Sequence, residues 1–266
     1  MKKLILLFSL NLVLTSCNVT ESIVFNDGQS GEYLITYQMG DAMKAFTDKM
    51  GGGAKKDKKE KGEVMDTTMV FADLMETHKD SIAALPEDKR LAMEAVKDMF
   101  MTMKMDEDKG QMDIGIGLNF ESLDDLKNIQ EKIKKVQSLN GQGDQLDAMK
   151  NGSPLGKFMG SEDESVEYNM SSAGFERVTN SELSAEDRSA MADLFDENDE
   201  TDKEFMTYFE SSYYNVKLTF PKAVKSVSIK DAVLSDDRKT VTYKANWIDY
   251  LQDPLMLDVK VEFVNE

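Results

Sequence analysis

The strongest constraint on this chain is an alternation. Ile114, Ile116, Leu118 and Phe120 take every second position of one stretch, with Asp113, Gly115, Gly117 and Asn119 between them. A period of two belongs to an extended strand, whose successive side chains point to opposite sides, so this segment needs one buried and one wet face. The pattern recurs in Val216, Leu218 and Phe220, in Val241, Tyr243, Ala245 and Trp247, and in Leu255, Leu257, Val259, Val261 and Phe263. Strands wetted on one side are characteristic of antiparallel sheets. The expected architecture is therefore α+β, an antiparallel β-sheet with helices packed mainly on one face.

Turn chemistry groups the strands. "ESIVFNDGQSGEYLITYQMG" reads as two strands around a turn rich in Asn, Asp and Gly, and "VEYNMSSAGFERV" as a short hairpin. "MTMKM" puts Met101, Met103 and Met105 on one side of a strand, and "DEDKG" turns the chain into the Ile114–Phe120 run. Helical spacing appears elsewhere. Asp41 caps a short helix with Met43, Phe46 and Met50. Residues 71 to 99 read as mainly helical, with Pro86 in a first turn and Leu91, Ala95 and Met99 on one face. Ser122 with Asp125 resembles a capping box opening a helix that carries Leu123, Leu126, Ile129, Ile133 and Val136, with Lys132, Lys134 and Lys135 near its negative end. Ser184 with Asp187 caps another, carrying Met191, Leu194 and Phe195. Flexible loops are expected at 51–62, "GGGAKKDKKEKG", and at 139–164, which holds five glycines.

The N-terminus carries a different message. Lys2 and Lys3 precede an apolar run from Leu4 to Leu14, broken by Ser9 and Asn11 and well short of the roughly 20 residues that span a bilayer. It ends in Leu14-Thr15-Ser16-Cys17, and Cys17 is the single cysteine of the chain. This resembles a bacterial lipoprotein signal. The resemblance implies cleavage before Cys17, a diacylglycerol on its thiol and an acylated new N-terminus. Residues 1–16 would then be a signal peptide, and 17–266 a single α+β domain. Two or three acyl chains, at about 0.8 kcal/mol per buried methylene, anchor a protein durably where one does not. Asn18 stands where an Asp resembles an inner-membrane retention signal, so the expected location is the cell envelope, at the outer membrane. An ordinary secretory signal, or a stray thiol at Cys17, are the competing readings.

Charge narrows the partners. Losing Lys2 and Lys3 with the leader takes the formal charge from −18 to −20. An acidic body of that kind repels nucleic acid and anionic headgroups, so neither is expected beyond the tether. His78 is the only histidine, which rules out a His cluster or a Cys–His pair, and no phosphate loop or nucleophile elbow is visible. No cofactor, metal or catalytic residue is expected. With 50 acidic residues some carboxylate pairs are inevitable and uninformative.

The order of "NDGQSGEY", "MDIGIGLNFESLDDL" and "YYNVKLTFPKAVKSV…KTVTY" resembles the LppM-type domain of bacterial lipoproteins, in which a strand ends in a Phe-Pro turn before one rich in Thr and Val. Lys222 departs from that pattern where Gly often follows the Phe-Pro pair, and residues 51–98 look inserted. The resemblance implies one α+β domain whose N- and C-terminal strands share a sheet, and an envelope role that includes lipid binding. It transfers no catalytic residue.

The candidate ligand-binding face is Met101, Met103 and Met105 with Ile114, Ile116 and Leu118. Flexible, polarizable methionines suit irregular acyl chains. Thioethers also suit Cu(I), and an ordinary core face fits the same alternation. Gly115 and Gly117 on the opposite face fit either close approach by a ligand or helix, or a bend. Asp196 to Asp202 starts like a calcium loop but offers Thr201 and Thr207 where Gly and Glu are needed, so a solvated acidic loop is the competing reading. The triplets beginning at Asp66 and Asp80 make Thr67 and Ser81 candidate O-glycosylation sites. Two functions follow: a non-enzymatic, lipid-anchored envelope protein binding a lipid or other apolar ligand, or an envelope scaffold with a protein partner and no small-molecule ligand.

Overall fold

The computed structural model describes residues 18–38, 64–106, 110–137, 164–181 and 211–264. Cys17, the helices expected at 41–50 and 184–195, the loop at 51–62, all of 139–164 but Glu164, and the acidic run 196–202 lie outside them.

Two strands, β1 (Asn18–Phe25) and β2 (Gly31–Gln38), form the first hairpin in the register Ile23↔Tyr33. Its turn places Gly28 and Gln29 at positive φ and closes with Asn26 N–H donating to the Ser30 carbonyl at 2.7 Å. Next come β3 (Val64–Val70) and three short helices, α1 (Phe71–Thr77), α2 (Lys79–Ala83) and α3 (Glu87–Ala95). Strands β4 (Met99–Asp106) and β5 (Gln111–Phe120) lead to α4 (Ile129–Gln137). The second hairpin is β6 (Glu164–Met170) and β7 (Gly174–Ser181). The C-terminal part holds β8 (Tyr213–Thr219), β9 (Val224–Val227), β10 (Val233–Leu234), β11 (Thr240–Asn246), α5 (Trp247–Gln252) and β12 (Val259–Phe263).

These strands make two sheets. The larger has eight strands in the order β10-β11-β8-β1-β2-β5-β4-β3, and the smaller has four in the order β6-β7-β12-β9. This corrects the expected architecture twice. The β1–β8 pair is parallel, with Ile23 opposite Leu218, so the large sheet is mixed. A second sheet covers much of the buried face where helices were expected, and the molecule is richer in strand than an α+β sheet covered by helices. The physical reason is plain: alternation shows that a face is buried, not what buries it. The resemblance had N- and C-terminal strands sharing a sheet. β8 and β11 do join β1, but the final strand β12 belongs to the second sheet.

Between the sheets the core is aromatic. Phe25 stacks on Phe220 at 5.4 Å between centroids and meets Phe175 at 5.2 Å and Phe120 at 5.8 Å. Ile129, Ile133 and Val136 of α4 join the same buried cluster.

Several local expectations shift. Ser122 and Asp125 do form a capping box, with Ser122 N–H donating to Asp125 Oδ2 at 3.0 Å. It opens only a 3-10 turn, Leu123–Leu126, because Asn128 adopts φ 64° and breaks the chain before α4. In the 71–99 segment the buried residues are Phe71, Met93, Val96 and Met99 while Leu91 is exposed, and Met99 starts a strand. Pro86 is the residue before α3, not its first turn. Trp247 opens α5 because Asn246 caps it, Ile248 N–H donating to Asn246 Oδ1 at 2.9 Å. The Trp247 ring lies on Tyr214 at 5.7 Å. Leu255 is exposed in a 3-10 turn, Pro254–Leu257, so the last alternation is a strand only from Val259.

Candidate functional site

Register brings the methionine face together. Met101 lies opposite Ile116, Met103 opposite Ile114, and Met105 opposite Met112. On the outer side Met69, Thr67 and Met65 of β3 stand opposite the same three methionines, and Tyr37 of β2 lies opposite Ile114. Directly opposed residues share a face of an antiparallel pair, so all of these belong to one surface. Of the six predicted residues, Ile116 and Leu118 are buried in the core. Met101, Met103, Met105 and Ile114 are half-buried, as are Met65, Met69, Met112 and Tyr37. Met99, at the inner end of β4, is fully buried. The face therefore grades from core to surface along β4.

The glycines of the opposite face are filled from within. A Cβ on Gly117 would lie 2.3 Å from the Phe100 ring and 2.8 Å from the Tyr33 carbonyl oxygen. One on Gly115 would lie 2.2 Å from Thr102 Oγ1 and 3.0 Å from Leu34. Cross-strand neighbours, not a ligand or a helix, occupy both places.

A second constellation escaped the sequence reading. Glu21 of β1 and Arg177 of β7 meet between the sheets, each side chain about 1% exposed. Arg177 Nη2 donates to Glu21 Oε2 at 3.1 Å and Nε to Oε1 at 3.3 Å. Tyr168 donates to Oε1 at 2.9 Å and Tyr214 to Oε2 at 3.0 Å. Nη1 donates to Thr179 Oγ1 at 3.0 Å and lies 3.8 Å from Asp258 Oδ1. Burial is the largest single influence and works against the Arg177 charge, but the Glu21 carboxylate together with Tyr168, Tyr214 and Tyr243 outweighs it, and the guanidinium pKa lies well above its ordinary value. Burial first, then Glu21, pushes the hydroxyls of Tyr33, Tyr168 and Tyr214 well above the usual range. Four donors fill the lone pairs of one carboxylate. The cluster joins two sheets.

It was legible in principle. Glu21 sits in phase with Val19, Ile23 and Phe25, and Arg177 with Phe175 and Thr179, so opposite charges occupy two core-facing positions.

Two open grooves lie on the described surface. One, of about 460 Å³, runs along the second sheet past Met170, Phe175, Lys225 and Lys260. Its charges are paired, Lys260 with Glu176 at 2.7 Å and Lys225 with Glu262 at 3.3 Å. The other, of about 410 Å³, lies among the short helices, lined by Met75, Ile82, Ala83 and Leu91 with Lys79, Arg90 and Glu94 at its rim. Among the described residues no three His, Cys, Asp or Glu side chains are grouped to hold a metal ion, and no helix is long and apolar enough to cross a membrane. Thr67 is exposed on β3 and Ser81 on α2.

No protein-family model and no curated protein matches the chain. Among solved structures it is similar to the NMR structure of the folded domain of Mycobacterium tuberculosis LppM. The two share 10% identity over 93% of this chain and 87% of that one, with a TM-score of 0.33. A superposition that loose assigns no role to any residue here.

Proposed function

We propose that this is a non-enzymatic, lipid-anchored protein of the cell envelope whose methionine face receives an apolar chain. One observation carries the ligand: Met101, Met103, Met105 and Ile114 lie in register on one face, continuous with the core yet half-exposed. Thioether side chains adapt to an irregular hydrocarbon at little cost. The Leu14–Cys17 box supports the tether, and the described fold begins at Asn18, directly beside it.

The test uses a chain beginning at Asn18, which keeps every described residue. A fluorescent fatty acid is expected to bind it saturably, and Met103→Asp is expected to abolish binding without unfolding. Absence of saturable binding to the unsubstituted chain sinks the ligand reading. Metabolic labelling with a fatty-acid probe checks the tether separately: Cys17→Ser is expected to lose the label.

A second reading, a scaffold with an envelope-protein partner, is favoured by the groove among α1 to α3, where Leu91 is exposed beside Met75 and Ile82. In-envelope crosslinking from Leu91 is its test. A chain recovered only alone counts against it.

A further inference from the structure

Among the described residues β3 is the outer strand of the large sheet, and its seven residues read Val-Met-Asp-Thr-Thr-Met-Val. Read backwards the order is almost unchanged: Val, Met, Thr, Thr, Asp, Met, Val. We infer that β3 pairs antiparallel with β3 of a second copy of this chain about a two-fold axis at Thr67, joining the two large sheets edge to edge.

A two-fold interface must be self-complementary, each residue meeting a partner that meets it in return. Centring the pair on Thr67 sets Val64 opposite Val70, Met65 opposite Met69, Asp66 opposite Thr68, and Thr67 opposite its own copy. Apolar meets apolar at both ends, and the one carboxylate meets a hydroxyl able to donate to it. A different register breaks this. A shift of two residues, for example, sets valine against aspartate.

Charge also fits. The chain carries a net charge of −18, so most of its surface repels a second copy. The Asp66 carboxylate, the only charge on β3, lies 3.5 Å from Lys104 Nζ of the neighbouring strand. The edge is thus locally neutral.

Edge strands that stay single are usually guarded by lysine, proline, a bulge or a covering element. β3 holds no lysine or proline, and its pairing with β4 runs unbroken from Val64↔Asp106 to Val70↔Phe100. Val64 is 70% exposed, and Asp66, Thr67, Thr68 and Val70 are exposed as well. Faces follow from the register. Met65, Thr67 and Met69 share the side of Met101, Met103 and Met105, so pairing extends the methionine face of one copy into that of the other. A seven-residue edge lies at the small end of specific interfaces, which makes this a dimer that forms and separates.

The test is a chain beginning at Asn18, which contains no cysteine. Sedimentation equilibrium is expected to show a concentration-dependent monomer–dimer exchange. Thr67→Lys sets two like charges opposite each other, and Val64→Lys charges an apolar end. Each is expected to weaken association by about tenfold or more, with an unchanged circular dichroism spectrum because both side chains are exposed. Register is read by oxidation. Thr67→Cys brings two thiols to directly opposed positions with Cα atoms about 4.5–5.5 Å apart and is expected to give a covalent dimer. Thr68→Cys faces Asp66 and is expected to give little. A chain monomeric at every concentration, or equal crosslinking from positions 67 and 68, overturns the proposal.

Discussion

The large sheet has two halves that read alike in sequence and differ in the fold. Under the second sheet, β1, β2, β8 and β11 bury rings and branched residues: Ile23, Val216, Leu218 and Val241 are wholly inaccessible, and Phe25 and Phe220 nearly so. Beyond it the wing of β5, β4 and β3 carries the same alternation in methionine, and its outer members stay half-exposed. Alternation sets which face turns inward; the covering layer sets how deep that face lies. The covered half packs shape against shape and holds a charge pair. The wing uses the one apolar side chain that tolerates an irregular neighbour.

Breaking the covered half at its charge pair should have the largest effect. Arg177→Ala leaves the Glu21 carboxylate buried with only the two tyrosine donors, and is expected to cost about 3–5 kcal/mol in urea unfolding. Replacing both partners, Glu21→Met with Arg177→Met, is expected to recover much of that, because no unpaired charge remains. Recovery is incomplete, since Tyr168 and Tyr214 lose the acceptor that each holds at about 3 Å. A double variant no more stable than the single one would show that the pair itself, not the stranded charge, stabilises the joint.

The same cluster makes the covered half sensitive to alkali. Burial, and then the Glu21 charge, raise Tyr33, Tyr168 and Tyr214 well above 10.0 in the fold. Tyr243 is also raised, mainly by burial. Below about pH 10 these hydroxyls are neutral in both states and the stability is fully present. Above it the unfolded chain releases their protons while the fold retains them, so stability falls as pH rises toward the folded values. The slope is about 1.4 kcal/mol per pH unit for each tyrosine. Urea midpoints followed upward from pH 9 should show it, and Tyr243→Phe should remove one tyrosine's share.

Gly117 probes the boundary between the halves. Its missing side chain is the space for the Phe100 ring, with the Tyr33 carbonyl oxygen behind it. Gly117→Ala is expected to cost about 1–3 kcal/mol, the ring moving but the backbone unable to. The double change Gly117→Ala with Phe100→Leu should restore part of it.

The hairpins were legible because their cues are local. Gly28 supplies its turn, and alternation on each side sets the strands in phase. The capping box was legible for the same reason, yet the helix it announced stops at Leu126 because one left-handed Asn128 outweighs a continuous apolar stripe. The parallel β1–β8 pair, which joins residues nearly two hundred positions apart, was not legible, and neither was the joining of the β6–β7 hairpin to β12 and β9 in a second sheet: nothing in period or turn chemistry encodes pairings between such separate segments. The six candidate ligand residues share one face by register. Their depth did not show in the sequence, because Leu118 and Met105 obey the same period and only the covering elements separate them. Glu21 and Arg177 were passed over for a similar reason. Each holds a core-facing position by the phase of its strand, but the partner that lets a charge stay there comes from the other sheet, which neither strand reveals alone.

The smallest effect should come from the wing, and it sharpens the comparison most. Met99, Met103 and Met105 share one strand and one face, with Met99 fully buried and the other two half-buried. Met99→Ala is expected to cost about 2–5 kcal/mol, as a cavity in a closed core does. Met103→Ala and Met105→Ala leave space that solvent already reaches and are expected to cost less than about 1 kcal/mol each. If the wing is a binding face, these two changes should weaken fatty-acid binding far more than they weaken the fold, while Met99→Ala should do the reverse. Equal stability losses at positions 99 and 103 would mean that the wing is core, and the distinction between the two halves would disappear.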